Sequence, residues 1–266
     1  MLQKMITALA QISIGVSDIE SAAAAMSRLF AREPSLGEEE AVFQLANTRL
    51  ALTMSEAGEG VSGITFEVDD ANRAFRAVER RALVPQPPVA FAESDTNGAL
   101  REGRSIDLDV AATFGVPMKL VHYTKNQSPP SPQTNESSIT GLDHIVIRTT
   151  HPNRAAALYG ARLGLDMRLD RTEPKWGSRF MFFRCGDLIV EVVYDLKDEP
   201  SDAPDRLWGL SWRAANADAV QARLKSTGFN VSDVRPGRKP GTRVFTVRDG
   251  TLGVPTLIVE PSKTRA

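Results

Sequence analysis

Hydrophobic positions along the chain fall into short alternating runs, separated by single amphipathic stretches. The clearest instance begins at Leu142 with LDHIVIRT, a run rich in β-branched residues. Such a run reads as a half-buried strand. A two-residue period puts His144, Val146 and Arg148 on one face, and Ile145 and Ile147 on the other. PNRAAALYGARLGL follows, with alanines and apolar residues suited to a helix and Gly164 as its stop. DMRLDRT, SRFMFFRC and LIVEVVY then read as three strands. The unit is strand, helix, three strands.

The same order recurs. WGLSWRA is a strand, ADAVQARLKSTGF a helix, and FNVSDVRPG, TRVFTVRD and PTLIVEP are strands. Earlier, AQISIGV precedes the helix IESAAAAMSRLF, with VFQLA and RLALTMS as strands. SGITFEV precedes the helix ANRAFRAVERRAL, and a less regular set of strands ends in PMKLVHY. Gly115-Val116-Pro117 and Gly253-Val254-Pro255 each stand just before the last strand of a half. A recurring plan of this kind means one unit used several times. It predicts four βαβββ modules near 9–56, 61–124, 141–196 and 206–262, in an α+β fold. One such module leaves a face of its sheet open, and two side by side close it into a cup suited to a ligand.

KNQSPPSPQTNESS, 125–138, has three prolines and no aliphatic residue. It reads as a linker. The expected organisation is an N-terminal domain over 1–124, a linker over 125–140 and a C-terminal domain over 141–266.

Composition removes several function classes. The 266 residues are 42% hydrophobic, too many for disorder, and 32 basic against 33 acidic residues leave a net charge of -1. That balance argues against a nucleic-acid binder. No apolar run is long enough to span a bilayer, and the start MLQKMITALAQ is a poor secretory signal, so a cytoplasmic location is expected. The single cysteine, Cys185, excludes an internal disulfide framework, and no nearby base in the sequence activates it. Three histidines, His122, His144 and His151, oblige any metal site to lean on carboxylates. His151, beside Pro152 at a helix start, reads as solvated.

LDHIVIRT, the helix ending in RLGL, LIVEVV and GVPTLIVEP together resemble the vicinal oxygen chelate superfamily. Its members include glyoxalase I, extradiol dioxygenases, methylmalonyl-CoA epimerase and bleomycin-resistance proteins. The resemblance covers essentially the whole chain and is strongest over 141–261. It implies two glyoxalase-like, cup-shaped domains, each made of two modules. In that family each module supplies a metal ligand early in its first strand and another on its last. Carried over by position, these places hold His144 and Glu191 in the third module and Gly209 and Glu260 in the fourth. The first module has Gln11 and an apolar residue near Leu52, and the second has Gly63 and His122. The N-terminal site is therefore expected to be degenerate.

The resemblance thus implies a divalent ion (Fe, Mn, Ni or Zn) on His144, Glu191 and Glu260. It would stabilise an enolate or oxyanion of a catabolic intermediate, in an isomerase, a lyase or a ring-cleaving dioxygenase. Glu191 or Glu260 would alternatively swing off as a base. A crosswise alternative joins the second and third modules and brings His122, His144 and Glu191 together. The competing class is a metal-free binding protein of the bleomycin-resistance kind, favoured by Gly209 and Gln11. An anionic substrate would meet Arg148 and Arg213, four residues after His144 and Gly209, and the cations of RPGRKPGTR, among them Arg235 and Arg238. Trp176, Arg179, Met181 and Phe183 are expected on the pocket wall. A homodimer without nucleic-acid or membrane partners completes the expectation.

Overall fold

A computed structural model describes residues 4–37, 39–94, 100–126 and 135–262. In the first half run β1 (Ile6–Val16), α1 (Ile19–Phe30), β2 (Ser35–Leu36), β3 (Glu40–Gln44) and β4 (Arg49–Met54). After them come β5 (Gly60–Val68), α2 (Ala71–Arg80), β6 (Val89–Ser94), β7 (Leu100–Asp107) and β8 (Met118–Asn126). The second half gives β9 (Ile139–Arg148), α3 (Pro152–Ala156), β10 (Asp166–Glu173), β11 (Ser178–Cys185) and β12 (Leu188–Asp195). It ends with β13 (Arg206–Ala214), α4 (Ala217–Ser226), β14 (Arg235–Pro236), β15 (Arg243–Val247) and β16 (Thr256–Glu260). Four βαβββ modules are thus present in an α+β fold.

The strands form two eight-stranded sheets, one per half. Their orders are β2-β3-β4-β1-β5-β8-β7-β6 and β10-β11-β12-β9-β13-β16-β15-β14, so the two sheets have the same topology. They are the two glyoxalase-like cup domains of the expected fold class. Compactness divides the chain another way. One unit holds residues 1–12, 62–127 and 145–208, and the other holds 13–61, 128–144 and 209–266. Each unit draws on both halves of the chain.

Caps decide where the helices begin. The Asp18 carboxylate accepts from the backbone N–H groups of Glu20 and Ser21, Asp70 from that of Arg73, and Asn216 from those of Asp218 and Ala219. His151 is not a solvated bystander. Its Nδ1 accepts from the Arg154 N–H at 3.3 Å and caps α3, whose first residue is Pro152. The helix continues past α3 as a π-turn over Ala157–Arg162. FNVSDVRPG departs from expectation: only Arg235–Pro236 pairs as a strand, with one further bridge at Val231. The expected linker begins inside β8 and ends inside β9. Residues 127–134 lie outside those described, and Ser138 and Asn135 close a side-chain turn just before β9.

In the unit containing α1 and α4, Arg223 on α4 donates to the carbonyls of Arg28 at 2.7 Å, Leu29 at 2.8 Å and Ser137 at 3.0 Å. The first two belong to the last turn of α1, where carbonyls lack helical partners. Trp212 of β13 meets Phe30 of α1 edge-on, with ring centroids 5.0 Å apart. Arg223→Ala should cost about 2 kcal/mol, because it strips a charged donor from several carbonyls at once. A urea unfolding curve with an unshifted midpoint would refute that role.

Candidate functional site

β13 and β16 pair in parallel, with Ser211 opposite Leu257, Trp212 opposite Ile258 and Arg213 opposite Val259. Residues paired in register share a face, and faces alternate along a strand. Trp212 and Ile258 lie on the face that carries helices, so Ser211 and Arg213 lie on the open face. Glu260, two residues after Ile258, belongs to the helix-bearing face. Its contacts agree: Oε2 accepts the Ala217 N–H at 2.9 Å and stands 3.5 Å from the Arg243 guanidinium. Arg243 is held by both Asp218 carboxylate oxygens, at 2.6 and 2.7 Å. A carboxylate at the start of α4 satisfies an unpaired N–H and the helix dipole. Glu260 is therefore a structural residue, and its expected metal and base roles are corrected. The carry-over matched its position in the motif but not its parity in the strand.

A chain of polar side chains runs through His144. Its Nδ1 lies 2.9 Å from Asp143 Oδ2, and its Nε2 lies 2.7 Å from Ser211 Oγ. A carboxylate only accepts, so Nδ1 carries the hydrogen. In the neutral ring Nε2 is then the acceptor, and the Ser211 hydroxyl donates to it. Asp143 Oδ1 takes a further contact from Arg213 Nε at 3.4 Å. Burial pushes the Asp143 carboxyl up, but the hydrogen bonds and charges of His144 and Arg213 outweigh it and hold the group below its usual range. Ser211 is 2% exposed, while the His144 side chain keeps 18% of its surface in solvent. Ile145 and Ile147 are buried and His144 is not, but Val146, which the alternation set beside His144, is buried as well. The sequence reading passed over Asp143 and Ser211. Their signals were an acid immediately before the histidine and a lone hydroxyl inside the apolar strand LWGLSWRA.

Gly209 shares the face of Ser211 and Arg213. A Cβ there would stand 3.0 Å from the Pro255 carbonyl oxygen. A ligand side chain at this position would press on the backbone that pairs β13 with β16, which accounts for the glycine.

Glu191 lies on β12, whose burial alternates strictly. Val190 and Val192 are buried, while Ile189, Glu191 and Val193 are half-buried on the other face. Glu191 pairs with Phe182, and Val193 with Phe180. Those two rings stack at 6.4 Å, and Trp176 meets Phe180 edge-on at 5.9 Å. The open face of this strand pair therefore carries Phe180, Phe182, Trp176 and Glu191. Met181 and Phe183 point the other way, with Phe183 against Tyr159 at 5.7 Å. Arg179 is not on the pocket wall either. It forms a two-point pair with Asp170, at 2.9 and 2.7 Å, and donates to Asn153 of the α3 segment. These placements correct the expected lining by one residue of register. Arg148 sits 5.4 Å from the Trp208 ring centroid, in cation–π range. Arg235 and Arg238 are exposed on and beyond β14, the edge strand.

His122 sits on the face of β8 that packs on α2. It pairs with Arg104, which donates to Asn72 of α2, and its Nδ1 lies 3.2 Å from the Val68 carbonyl. Glu191 lies on the face of its own strand that carries no helix. Among the described residues, His122, His144 and Glu191 are not grouped to hold a metal ion.

Among the described residues, no group of three or more His, Cys, Asp or Glu side chains is placed to hold a metal ion. Glu260 faces α4, Gly209 offers no donor, and both ring nitrogens of His144 are hydrogen-bonded. The residues present do not fit the family's ion.

Cys185 is buried, and burial with the nearby Asp187 pushes its thiol up to about 12, against a smaller opposing pull from Lys4. Only about one thiol in 10⁴ would be ionised at pH 8. The native protein should therefore leave Ellman's reagent unreacted and titrate one thiol once denatured; rapid native reaction would refute this.

Residues 143–246 match the model of the Glyoxalase/Bleomycin resistance protein/Dioxygenase superfamily. The chain is similar over 97% of its length to the Mn(II)-bound glyoxalase from Novosphingobium aromaticivorans, covering 83% of it, at 13% identity and TM-score 0.74. It is similar over 96% of its length to 2,2',3-trihydroxybiphenyl 1,2-dioxygenase from Sphingomonas wittichii strain RW1, covering 91% of that chain, at 15% identity and TM-score 0.69. With the 2,3-dioxygenase LapB from Pseudomonas sp. KL28 the figures are 99%, 95%, 14% and 0.67. No curated protein matches. The class is thus a paired-module glyoxalase-like protein. Residues 143–246 match that superfamily's model, and the whole chain shares the fold of these solved structures.

Proposed function

We propose that the protein is a small-molecule enzyme of the vicinal oxygen chelate type whose acid–base group is His144, working without the family's chelated ion. The Asp143–His144–Ser211 chain carries this reading. Asp143 fixes the ring tautomer and stabilises the imidazolium that forms when Nε2 takes a proton. Arg213, on the same face, supplies positive charge for an anionic substrate. Fold alone assigns no reaction; an oriented base beside a cation fits proton removal next to a carbonyl, the core step of an isomerase or lyase. The N-terminal half, 1–124, supports the fold, and the protein acts as a cytoplasmic homodimer.

A second reading is metal-free binding or sequestration of a small molecule. It is favoured by the stacked Phe180 and Phe182 with Trp176 beside them, because such rings hold planar ligands without changing a bond.

Elemental analysis tests the main reading. Protein expressed with Fe, Mn, Ni and Zn supplements and purified without chelator should carry well under one metal per chain, and His144→Ala should not change that. One tightly held ion per chain, lost in the His144 variant, would overturn it and restore the metal enzyme.

A further inference from the structure

We propose that Ser211 is a nucleophile, and that the site performs acyl transfer on a small activated ester. The inference rests on His144 acting as a base, but adds a covalent step that proton shuttling does not require.

The geometry is that of an activated hydroxyl. Ser211 Oγ lies 2.7 Å from His144 Nε2, and the opposite ring nitrogen lies 2.9 Å from Asp143 Oδ2. A nucleophile, a base and an acidic orienting group are each within hydrogen-bond reach of the next. The arrangement is recognised by roles and distances rather than by position in the chain. Here two of its members are consecutive on β9 and the third is on β13. The three residues lie in one compact unit. Ser211 is 2% exposed, and the His144 side chain beside it keeps 18% of its surface in solvent, the side from which substrate and water would reach the pair. Arg213, which pairs with Asp143, lies on the same face as Ser211 two residues along and adds positive charge beside the hydroxyl.

The step balances without a co-reactant other than water. Oγ attacks the ester carbonyl carbon while its proton passes to Nε2, giving a tetrahedral oxyanion. The carbon–oxygen bond to the leaving alcohol breaks, and that alcohol takes the proton from Nε2. The acyl group remains on Oγ. Water then attacks it, gives a proton to Nε2 and releases the carboxylic acid as the proton returns to Oγ.

The probes are p-nitrophenyl acetate and a fluorophosphonate, used on the full-length, metal-free protein. The proposal expects a burst of p-nitrophenol near one equivalent and one phosphonyl adduct per chain, mapped to Ser211 by peptide mass spectrometry. Ser211→Ala should abolish the adduct, and His144→Ala should slow labelling on the order of 100-fold or more. Ser211→Cys guards against a folding loss: its thiol should alkylate rapidly, and only while His144 is present. Absence of an adduct at Ser211 in folded protein overturns the proposal, as does labelling that ignores His144. A stoichiometric ion on His144 would sink the base reading as well. A metal-free protein that stays unlabelled sinks only the nucleophile.

Discussion

Replacing Asp205 with alanine is expected to cost about 3–5 kcal/mol, the cost of leaving a buried cation without its anion. Asp205 lies just before β13, and its carboxylate is fully buried. It accepts from Thr149 Oγ at 2.8 Å, from the Thr150 N–H at 3.2 Å and from Arg154 at 2.8 Å. Its own N–H donates to the Phe114 carbonyl at 2.7 Å. Arg154 is only 12% exposed and lies 4.5 Å from the Phe114 ring centroid, so water cannot replace the lost carboxylate easily. Against a total stability of about 5–15 kcal/mol such a loss is large. Urea unfolding should show a much lower midpoint with an unchanged slope, and Arg154→Met in the Asp205→Ala background should recover part of the loss. A midpoint within experimental error of the parent would show that the cluster contributes little.

The second large effect is expected at His144. His144→Ala should lower hydrolysis of p-nitrophenyl acetate on the order of 10²–10⁴-fold, the usual contribution of a positioned acid–base group. Asp143→Asn should give a smaller loss, since it keeps the ring in place but removes the charge that stabilises the imidazolium. A merely structural histidine would lower stability and leave the rate per folded molecule intact. Unfolding curves run beside the kinetics separate the two outcomes. A rate per folded molecule unchanged by His144→Ala would refute the catalytic role.

The module plan was legible because period and punctuation agree at every level. Strand runs such as LDHIVIRT, helix stretches such as IESAAAAMSRLF and the repeated Gly-Val-Pro all point to one architecture. The site was legible only in part. Period two placed His144 on the open face, and the burial of Ile145 and Ile147 agrees. Glu260 failed because the motif LIVE occurs in both β12 and β16, but the two strands present it on opposite faces. Phe180 and Phe182 were displaced by the same cause: SRFMFFRC is apolar at four consecutive positions, 180 to 183, and again at 185, so alternation alone could not fix the parity. Ser211 and Asp205 were invisible for another reason. A buried hydroxyl or carboxylate gains its meaning from partners 51 or more residues away in the chain, and no local pattern records them.

The most direct test is nitrogen and proton NMR of the imidazole groups at neutral pH, which three histidines make assignable by single substitutions. His144 should be the Nδ1–H tautomer, with a strongly downfield Nδ1 proton that moves upfield in Asp143→Asn and an Nε2 resonance that shifts in Ser211→Ala. An Nε2–H tautomer indifferent to both substitutions would contradict the relay and everything built on it.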